Sequence, residues 1–475
     1  MAKPLRPDIC VIGAGSGGLT VAAAAASFGV PVVLIERDRM GGDCLNTGCV
    51  PSKSLLSAAR SAETIRHAAD FGLHAAVPEI DFKAVNRHVQ TVIDAIAPND
   101  SIERFTALGV RVIKGEAQFV DRRTVRVGDV EIRARRFVIA TGSSPMIPRI
   151  PGIEDVPYLT NETIFERKRR MRRLVVIGGG PIGLEMAQAH RRLGSEVTVL
   201  EVGRILSRED DEITAIVRRR LAAEGVDIRE RVRIRRVEPW GNTGARIHVD
   251  DDGASHTIDA THLLVATGRK PNLDGLGLEA ARVRHTPKGI AVNARLRSSN
   301  RRIYAIGDVT GRAAFTHAAN YHAGLVLRSI LFRLRTNVEA AAIPRVTFTE
   351  PEIAHVGLSE AEARDARYRP RVLRWPYAEN DRAQAERKTE GHIKIVADRR
   401  GRILGVSIVG ANAGEMIAMW ALAVSKRMRV GDIANLVFPY PTFSEIGKRA
   451  AIAYFSPATR RPAVRRLIRF LRIFG

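Results

Sequence analysis

Two well-separated βαβ units predict an α/β fold with two Rossmann-like dinucleotide-binding domains. One unit places the turn GAGSGG after an apolar strand at 8–12, and the other places GGGPIG after an apolar strand at 174–177. In each unit a helix and a second strand follow, and that strand ends in a glutamate, Glu36 or Glu201. The step from the first glycine to the acid is 36 − 13 = 23 and 201 − 178 = 23 residues. A glycine pattern alone is a weak signal, but here strand, turn, helix and acid all recur at one spacing.

The glycines and acids of these units are the predicted nucleotide contacts. Glycine turns leave backbone N–H groups free to receive a pyrophosphate at the helix N-terminus, and the acid takes ribose hydroxyls. A glutamate at the ribose position repels a 2′-phosphate, so Glu201 predicts that NADH is favoured over NADPH. Arg204 and Arg208 follow closely enough to weaken that preference. The residues concerned are Gly13, Gly15, Gly18, Glu36, Gly178, Gly180, Gly183 and Glu201.

The rest of the chain divides into regions that differ in their predicted secondary structure. Residues 52–108 are mainly of helical pattern, and short strand-like runs follow at 110–113, 117–120, 124–127 and 130–133. From Pro344 strands and helices alternate without a glycine turn, which predicts a further α+β domain. In the last twenty residues, 456–475, apolar residues at helical spacing are interleaved with arginines.

The segment GGDCLNTGCVPSK, residues 41–53, contains two of the three cysteines. In a regular helix the Cα atoms of Cys44 and Cys49 would be about 8.6 Å apart. A disulfide rarely tolerates more than about 7 Å, so a bridge requires a deformed helix start and would be easily reduced. The alternatives are an unbridged thiol pair and half of a zinc site. Zinc needs two more ligands, and none lies nearby, so we predict no metal and favour a redox-active disulfide.

Composition excludes several classes of protein. The 475 residues are 45% hydrophobic, and no stretch reaches the roughly 18 apolar residues that a membrane span needs. Three cysteines favour a reducing compartment, so we predict a cytoplasmic location. The net charge of +24 is spread widely, and no nucleic-acid-binding module is evident, so we predict no nucleic-acid partner.

Several motifs together resemble one family. The cysteine segment, VATGRKPN at 265–272, YAIGDVTG at 304–311 and the region after Pro344 resemble the FAD-dependent pyridine nucleotide-disulfide oxidoreductases. The resemblance runs from about Asp8 to Phe455 and implies FAD, NAD(P)H and a homodimer. In that family the second cysteine faces the flavin and the first exchanges with substrate, which assigns these roles to Cys49 and Cys44.

The resemblance also implies a domain layout. The FAD-binding domain would comprise residues 1–152 and 275–343, and the NAD(P)-binding domain residues 153–274. Residues 344–455 would form the interface domain, whose partner subunit completes each active site, and residues 456–475 the basic tail. The predicted architecture is thus two Rossmann-like domains plus an α+β dimerisation domain.

Further site residues follow from the resemblance alone. It pairs Lys53 with Glu185 beside the flavin N5, assigns Asp308 to the ribitol chain, and aims the helix starting near Thr316 at the flavin C2 carbonyl. The other implied cofactor contacts are Gly42, Thr47, Thr141, Gly142 and Gly268.

The chain departs from the family at one catalytic position. Relatives read His-Pro-Thr-x-Ser-Glu, whereas this chain reads Tyr440-Pro-Thr-Phe-Ser-Glu445, so the base is replaced and the glutamate that would orient it remains. We therefore predict hydride transfer from NADH through FAD to the Cys44–Cys49 pair, and then to a small acceptor such as a quinone or a metal ion. Alternatives are a dihydrolipoamide dehydrogenase, a mercuric reductase-type enzyme and a slow redox-sensing flavoprotein. Mercuric reductase in its full form is disfavoured, since only Cys10 accompanies the pair.

The tail has two interpretations. A basic amphipathic helix can lie in an anionic membrane surface, or it can dock on its own protein. The sequence leaves both open.

Overall fold

A computed structural model describes residues 3–251, 253–312 and 314–475. It consists of two compact units, one of Met1–Arg204 with Gly225–Val338 and one of Ile205–Glu224 with Glu339–Gly475. The strands are β1 (Ile9–Ile12), β2 (Val32–Glu36), β3 (Val110–Lys114), β4 (Gln118–Phe119), β5 (Val125–Val127), β6 (Val130–Ile132), β7 (Arg136–Ile139), β8 (Ser143–Pro145), β9 (Tyr158–Leu159), β10 (Arg173–Ile177), β11 (Glu196–Glu201), β12 (Val226–Glu230), β13 (Arg233–Trp240), β14 (Gly244–Asp251), β15 (Ala254–Ala260), β16 (His262–Val265), β17 (Arg269–Pro271), β18 (His285–Thr286), β19 (Gly289–Ile290), β20 (Ile303–Ala305), β21 (Arg345–Thr347), β22 (Glu352–Gly357), β23 (Arg371–Pro376), β24 (His392–Ala397) and β25 (Ile403–Gly410). The helices are α1 (Ser16–Ser27), α2 (Gly42–Asn46), α3 (Cys49–Arg66), α4 (Phe82–Ile96), α5 (Ile102–Ala107), α6 (Pro181–Arg192), α7 (Asp211–Ala223), α8 (Thr316–Leu331), α9 (Glu360–Asp365), α10 (Asp381–Ala385), α11 (Ala413–Ser425), α12 (Val430–Ala434), α13 (Glu445–Ala453), α14 (Ser456–Thr459) and α15 (Pro462–Leu471).

The first unit contains two parallel sheets. Their strand orders are β20-β7-β1-β2-β3 and β12-β11-β10-β16-β9, and the strand that precedes the glycine turn, β1 or β10, is the central strand of each sheet. Along β1, Ile9 and Val11 pack into the apolar layer that includes α1 and α8, while Cys10 and Ile12 pack into the opposite layer. Both faces of the sheet are therefore covered, as a doubly wound sheet requires. The α/β class and the predicted helical and strand runs are confirmed.

The second unit is built on an antiparallel sheet of order β21-β22-β25-β24-β23. Its core surrounds Trp420 on α11, which is 1% exposed. At Gly447 on α13 an added Cβ would lie 2.6 Å from the Trp420 ring, so glycine permits the close packing of these helices. The α+β character predicted after Pro344 is confirmed.

Helix α7 belongs to the second unit, although in sequence it lies between β11 and β12 of the first. The predicted division placed it in residues 153–274 with the second glycine turn. The four boundaries between the five predicted segments remain predictions.

Candidate active site

The two glycine turns have the same geometry. Gly13 has φ +101°, and a Cβ there would lie 2.4 Å from the Ala140 carbonyl oxygen; Gly178 has φ +116°, with 2.4 Å to the Ala266 oxygen. Any side chain at either position would clash with backbone and be strained. Each turn therefore requires glycine at its first position.

Each turn is closed by its predicted acid. The Glu36 carboxylate accepts hydrogen bonds from the Ala14 and Asp38 N–H groups at 2.6 and 2.7 Å. Glu201 accepts from the Gly179 and Gly203 N–H groups at 2.7 and 2.8 Å. These bonds fix both carboxylates at the carboxyl ends of their strands, where a nucleotide ribose binds in such folds.

A small cavity of about 100 Å³ opens at the first turn, with Gly13, Glu36 and Thr141 in its lining. The Thr141 hydroxyl donates to the Asn272 carbonyl at 2.8 Å, and the Asn272 side-chain amide donates to the Thr141 carbonyl at 2.9 Å, which joins the first predicted FAD-binding segment to the end of the predicted NAD(P)-binding domain. Gly142, at φ +68°, follows directly, and its carbonyl accepts from the Asn272 N–H at 3.0 Å. A glycine turn, a fixed carboxylate and a cavity beside them fit a dinucleotide such as FAD.

The surroundings of the second glycine turn differ from those of the first. Gly268, at φ +143°, accepts a hydrogen bond from the Met146 N–H at 3.0 Å. At Gly180 an added Cβ would meet nothing within 4 Å, whereas at Gly15 it would meet the Gly42 Cα at 4.0 Å. The cysteine segment therefore borders the first turn, and the second turn is open at the matching position.

The two cysteines lie on different helices. Cys44 is on α2 and Cys49 is the first residue of α3, with Thr47 and Gly48 in non-helical conformations between them. The spacing predicted a deformation of this kind if the two cysteines are to bridge. Thr47 reinforces it by donating to the Asp43 carboxylate at 2.7 Å.

Gly42 and Gly48 make close backbone contacts within this segment. A Cβ on Gly42 would lie 2.7 Å from the Gly15 Cα, and one on Gly48 would lie 2.8 Å from the Asp43 carbonyl oxygen. In the structure they let the cysteine segment pack on the first glycine turn and close on itself.

The two thiols are free, and their environments differ. Because Cys44 donates a hydrogen bond to Cys49, the pKa of Cys49 falls to about 6; burial opposes this, and Thr316 and Lys53 assist it. The same hydrogen bond and burial raise the pKa of Cys44. Thr316 begins α8, and its hydroxyl lies 3.4 Å from the Cys49 sulfur. The pair is thus poised with a thiolate at Cys49 and a thiol at Cys44.

Lys53 and Glu185 form an ion pair at 2.8 Å. Lys53 is one turn into α3 from Cys49, and Glu185 is largely buried on α6, which packs against α3. The pairing that the resemblance implied is present, and it ties the cysteine helix to the helix of the second turn.

Arg269 connects two parts of the site that the sequence analysis did not link. Its guanidinium lies 3.1 Å from the Asp43 carboxylate and 3.8 Å from that of Asp308. Ser143 donates to Asp308 at 2.6 Å. Burial raises the pKa of Asp308, while Ser143 and Arg269 oppose that rise. Asn161 also donates to Asp43, at 3.0 Å. In the sequence, the only indication of these contacts was the presence of an acid, Asp43, in the GGDC motif and a base, Arg269, in the TGRKPN motif.

The replaced base lies in the second unit. Tyr440 is 69% exposed, and its hydroxyl donates to the Asp381 carboxylate at 2.8 Å. That hydrogen bond and the negative charge of Asp381 raise the pKa of Tyr440 above its usual range. Glu445 accepts a bond from the Thr442 N–H at 3.4 Å. A protonated phenol that already donates its proton is not a base at neutral pH.

The geometry defines a class of protein. It has two glycine turns of the dinucleotide-binding type, and beside the first turn it has two cysteines of opposite acidity. The family model for pyridine nucleotide-disulphide oxidoreductases matches residues 7–323, and the model for the dimerisation domain of that family matches residues 343–451. The chain belongs to the pyridine nucleotide-disulfide oxidoreductase family. It is therefore an FAD-dependent enzyme of a family whose substrate is NAD(P)H.

Named relatives cover nearly the whole chain. A mercuric reductase of Lysinibacillus sphaericus is 37% identical over 94% of this chain and 82% of its own length. A dihydrolipoyl dehydrogenase of Geobacillus stearothermophilus is 36% identical over 94% of this chain and 96% of its own length.

Two solved structures are similar in fold and size. LpdA from Mycobacterium tuberculosis has a TM-score of 0.87 at 26% identity, and the match covers 99% of that protein and 95% of this one. The HOCl-induced flavoprotein disulfide reductase RclA of Escherichia coli, solved as a Cu(II) complex, has a TM-score of 0.83 at 27% identity. The match covers 98% of that protein and 93% of this one.

Proposed function

We propose that the chain passes two electrons from NADH through FAD to the Cys44–Cys49 pair and on to a small non-disulfide acceptor. With a quinone, NADH, a proton and the quinone give NAD⁺ and the hydroquinone. The observation that carries the proposal is Tyr440, which donates a hydrogen bond to the Asp381 carboxylate and stands where relatives have a histidine. The catalytic roles of Cys44, Cys49, Lys53, Glu185, Tyr440 and Glu445 are part of this proposal.

A disulfide substrate is disfavoured by the state of Cys44. Attack on a disulfide needs a thiolate, and the bond to Cys49 together with burial raises the pKa of Cys44. A base would offset this by taking the proton, and Tyr440 cannot do so at neutral pH. A quinone or a metal ion can take electrons from the reduced flavin or from the thiolate already formed at Cys49, so the reaction does not have to begin with deprotonation of Cys44.

The relatives supply the second candidate function. Mercuric reductases and dihydrolipoyl dehydrogenases are about equally similar to this chain. A mercuric reductase in its full form is disfavoured, because the sequence has only Cys10 besides the Cys44–Cys49 pair. Dihydrolipoamide turnover and reduction of a metal ion as in a mercuric reductase are the alternatives that the overall similarity supports about equally. Slow redox sensing is the remaining alternative.

Substrate panels with two variants test the proposal. Purified enzyme is assayed with NADH and lipoamide, glutathione disulfide or a quinone. We expect the quinone to be the best acceptor, and Tyr440→His to raise disulfide turnover roughly 10²-fold, since general acid–base help is typically worth 10²–10⁴-fold. Tyr440→Phe is the matched control, because it removes only the hydroxyl. Rapid lipoamide turnover by wild type that Tyr440→His leaves unchanged would instead establish a dihydrolipoamide dehydrogenase.

NADH is the proposed donor. The Glu201 carboxylate is fixed by two backbone N–H groups at the position where a ribose 2′-phosphate would meet it. We expect Glu201→Gln to reduce the ratio of kcat/KM for NADH to that for NADPH by about tenfold, because one charge repulsion is removed. Wild-type enzyme that prefers NADPH would overturn the assignment.

The proposed assembly is a homodimer, supported by the match of residues 343–451 to the dimerisation domain. We also propose that the tail contacts anionic membrane surfaces. Among the described residues no helix is long and apolar enough to cross a membrane. On α15, however, Leu467, Ile468 and Leu471 are each more than half exposed, which leaves an apolar face open.

A further inference from the structure

The second unit contains a cleft of about 560 Å³ whose lining is dominated by arginine. Seven arginines come from three separate segments, 367–369, 399–402 and 427–429, together with Tyr368 and Asp398. We call it the arginine cleft. It is formed wholly within the second unit, whereas both glycine turns belong to the first.

The fold holds two of these segments together through the backbone. The turn between β24 and β25 carries residues 399–402, and the loop between α11 and α12 carries residues 427–429. Ile403 N–H donates to the Met428 carbonyl at 2.9 Å, and Val430 N–H donates to the Gly401 carbonyl at 2.8 Å. Their arginines are therefore presented from a fixed frame.

The third segment is anchored by its tyrosine. Tyr368 packs on the small apolar cluster of Ala363, Val396 and Leu404. Its hydroxyl accepts a hydrogen bond from Arg402 at 3.2 Å. This hydrogen bond joins segment 367–369 to segment 399–402 across the cleft.

The charge in the cleft is not balanced from within. Asp398 is the one carboxylate in the lining, and one of its oxygens accepts hydrogen bonds from the backbone N–H groups of Arg400 and Arg402 at 2.8 and 2.9 Å. Its other oxygen lies 3.3 Å from the Arg402 side chain. Across residues 3–251, 253–312 and 314–475, no ion pair within 4.0 Å involves any of the other six arginine side chains. A concentration of like charge of this kind is stabilised by an anion.

We propose that the arginine cleft binds a small molecule that carries two or more phosphate groups. Guanidinium groups bind phosphate oxygens in pairs, and Arg is the preferred residue for such sites. The volume falls within the roughly 300–1,000 Å³ typical of small-molecule sites. Six unpaired arginines exceed what one phosphate can engage, so the ligand is multiply charged. A phosphorylated lipid headgroup presents the same chemistry as a free polyphosphate.

Calorimetric titration of the FAD-loaded enzyme with inorganic tripolyphosphate tests the proposal. The cleft variant, Arg369→Gln/Arg400→Gln/Arg429→Gln, removes one arginine from each segment. The control, Arg301→Gln/Arg333→Gln/Arg335→Gln, removes the same charge from exposed positions of the first unit. We expect the cleft variant to bind at least about tenfold more weakly and the control to remain within about twofold of wild type. Unchanged NADH oxidation by both variants shows that folding and catalysis are intact.

A second titration separates the two phosphate sources. Vesicles containing a phosphoinositide are offered to enzyme lacking residues 456–475, so that the tail cannot contribute. Binding of these vesicles that the cleft variant loses, without tripolyphosphate binding, assigns the site to a lipid headgroup. Equal losses in cleft and control variants, or no binding of either probe by wild type, would overturn the proposal.

Discussion

Cys44 and Cys49 have the same side chain and acquire opposite acidities from their neighbours. The hydrogen bond from Cys44 lowers the pKa of Cys49 to about 6, while burial opposes the change. We therefore expect the rate at which iodoacetamide alkylates Cys49 in the reduced enzyme to rise with pH, with a midpoint near 6. Peptide mass spectrometry measures the alkylation of Cys49. Cys44→Ala should raise that midpoint by roughly one pH unit or more, because the donor is lost.

Two further variants separate the causes of this acidity. Thr316→Val removes the hydroxyl 3.4 Å from the Cys49 sulfur and should raise the midpoint by less than Cys44→Ala does. Cys10→Ser is the control, since Cys10 is fully buried in the first sheet and its pKa is raised by burial. A midpoint near the usual value of 9 in wild type would show that Cys49 is not the thiolate.

Among elements, the start of α7 is joined to the sheet of the second unit by a buried lysine. Lys394 on β24 lies 2.7 Å from Asp210, 2.5 Å from Glu212 and 2.9 Å from Glu360. Burial lowers the pKa of Lys394, but the hydrogen bonds to these carboxylates outweigh it and raise the pKa. We expect Lys394→Met to cost about 3 kcal/mol of unfolding free energy at pH 7, because the carboxylates lose their shared cation. Urea unfolding followed by Trp fluorescence measures this.

The same cluster predicts a pH dependence. The bond from Arg374 lowers the pKa of Glu212 to about 2; burial opposes this, and Lys394 assists it. A carboxyl with a depressed pKa stabilises the fold above its unfolded pKa, and this stability is lost as pH falls from about 4.5 toward 2. The deficit of Lys394→Met should therefore shrink in that window. Lys388→Met is the matched control, since Lys388 pairs with Glu386 at 3.3 Å on the surface. A deficit equal to the control's would contradict this role of Lys394.

The sequence predicts a feature well when the residues that form it are close together in the chain, and poorly when they are far apart. The helix break at Thr47 and Gly48 was predictable on the assumption that Cys44 and Cys49 can bridge, because two cysteines five residues apart cannot do so within a regular helix. The grouping of α7 does not follow, since an amphipathic pattern shows that a helix has an apolar face and not which sheet it covers. Arg269 is a similar case. Its partners Asp43 and Asp308 are distant in sequence, and no periodicity relates them.

On the scale of the whole molecule, the two glycine turns were the most predictable feature. Gly13 and Gly178 need positive φ and close backbone approach, and each is paired with an acid 23 residues later, so one local rule applies twice. The pairing of Lys53 with Glu185 came from family resemblance, because 132 residues separate them. The arginine cleft was hidden, since its three segments meet only in the folded second unit.

The tail provides the last prediction. On α15 the apolar side chains are exposed, and Arg465, Arg466 and Arg469 alternate with them, so the helix can lie at an anionic interface. We expect deletion of residues 456–475 to lower co-sedimentation with phosphatidylglycerol vesicles several-fold, and Leu467→Ser/Leu471→Ser to do the same by removing apolar insertion. FAD content should not change, because the first glycine turn lies in the other unit. Neutral phosphatidylcholine vesicles are the control for charge, and added salt should weaken binding to the anionic vesicles. Equal sedimentation of full-length and shortened enzyme would rule out a membrane role for α15, and its apolar face would then have to be covered by protein.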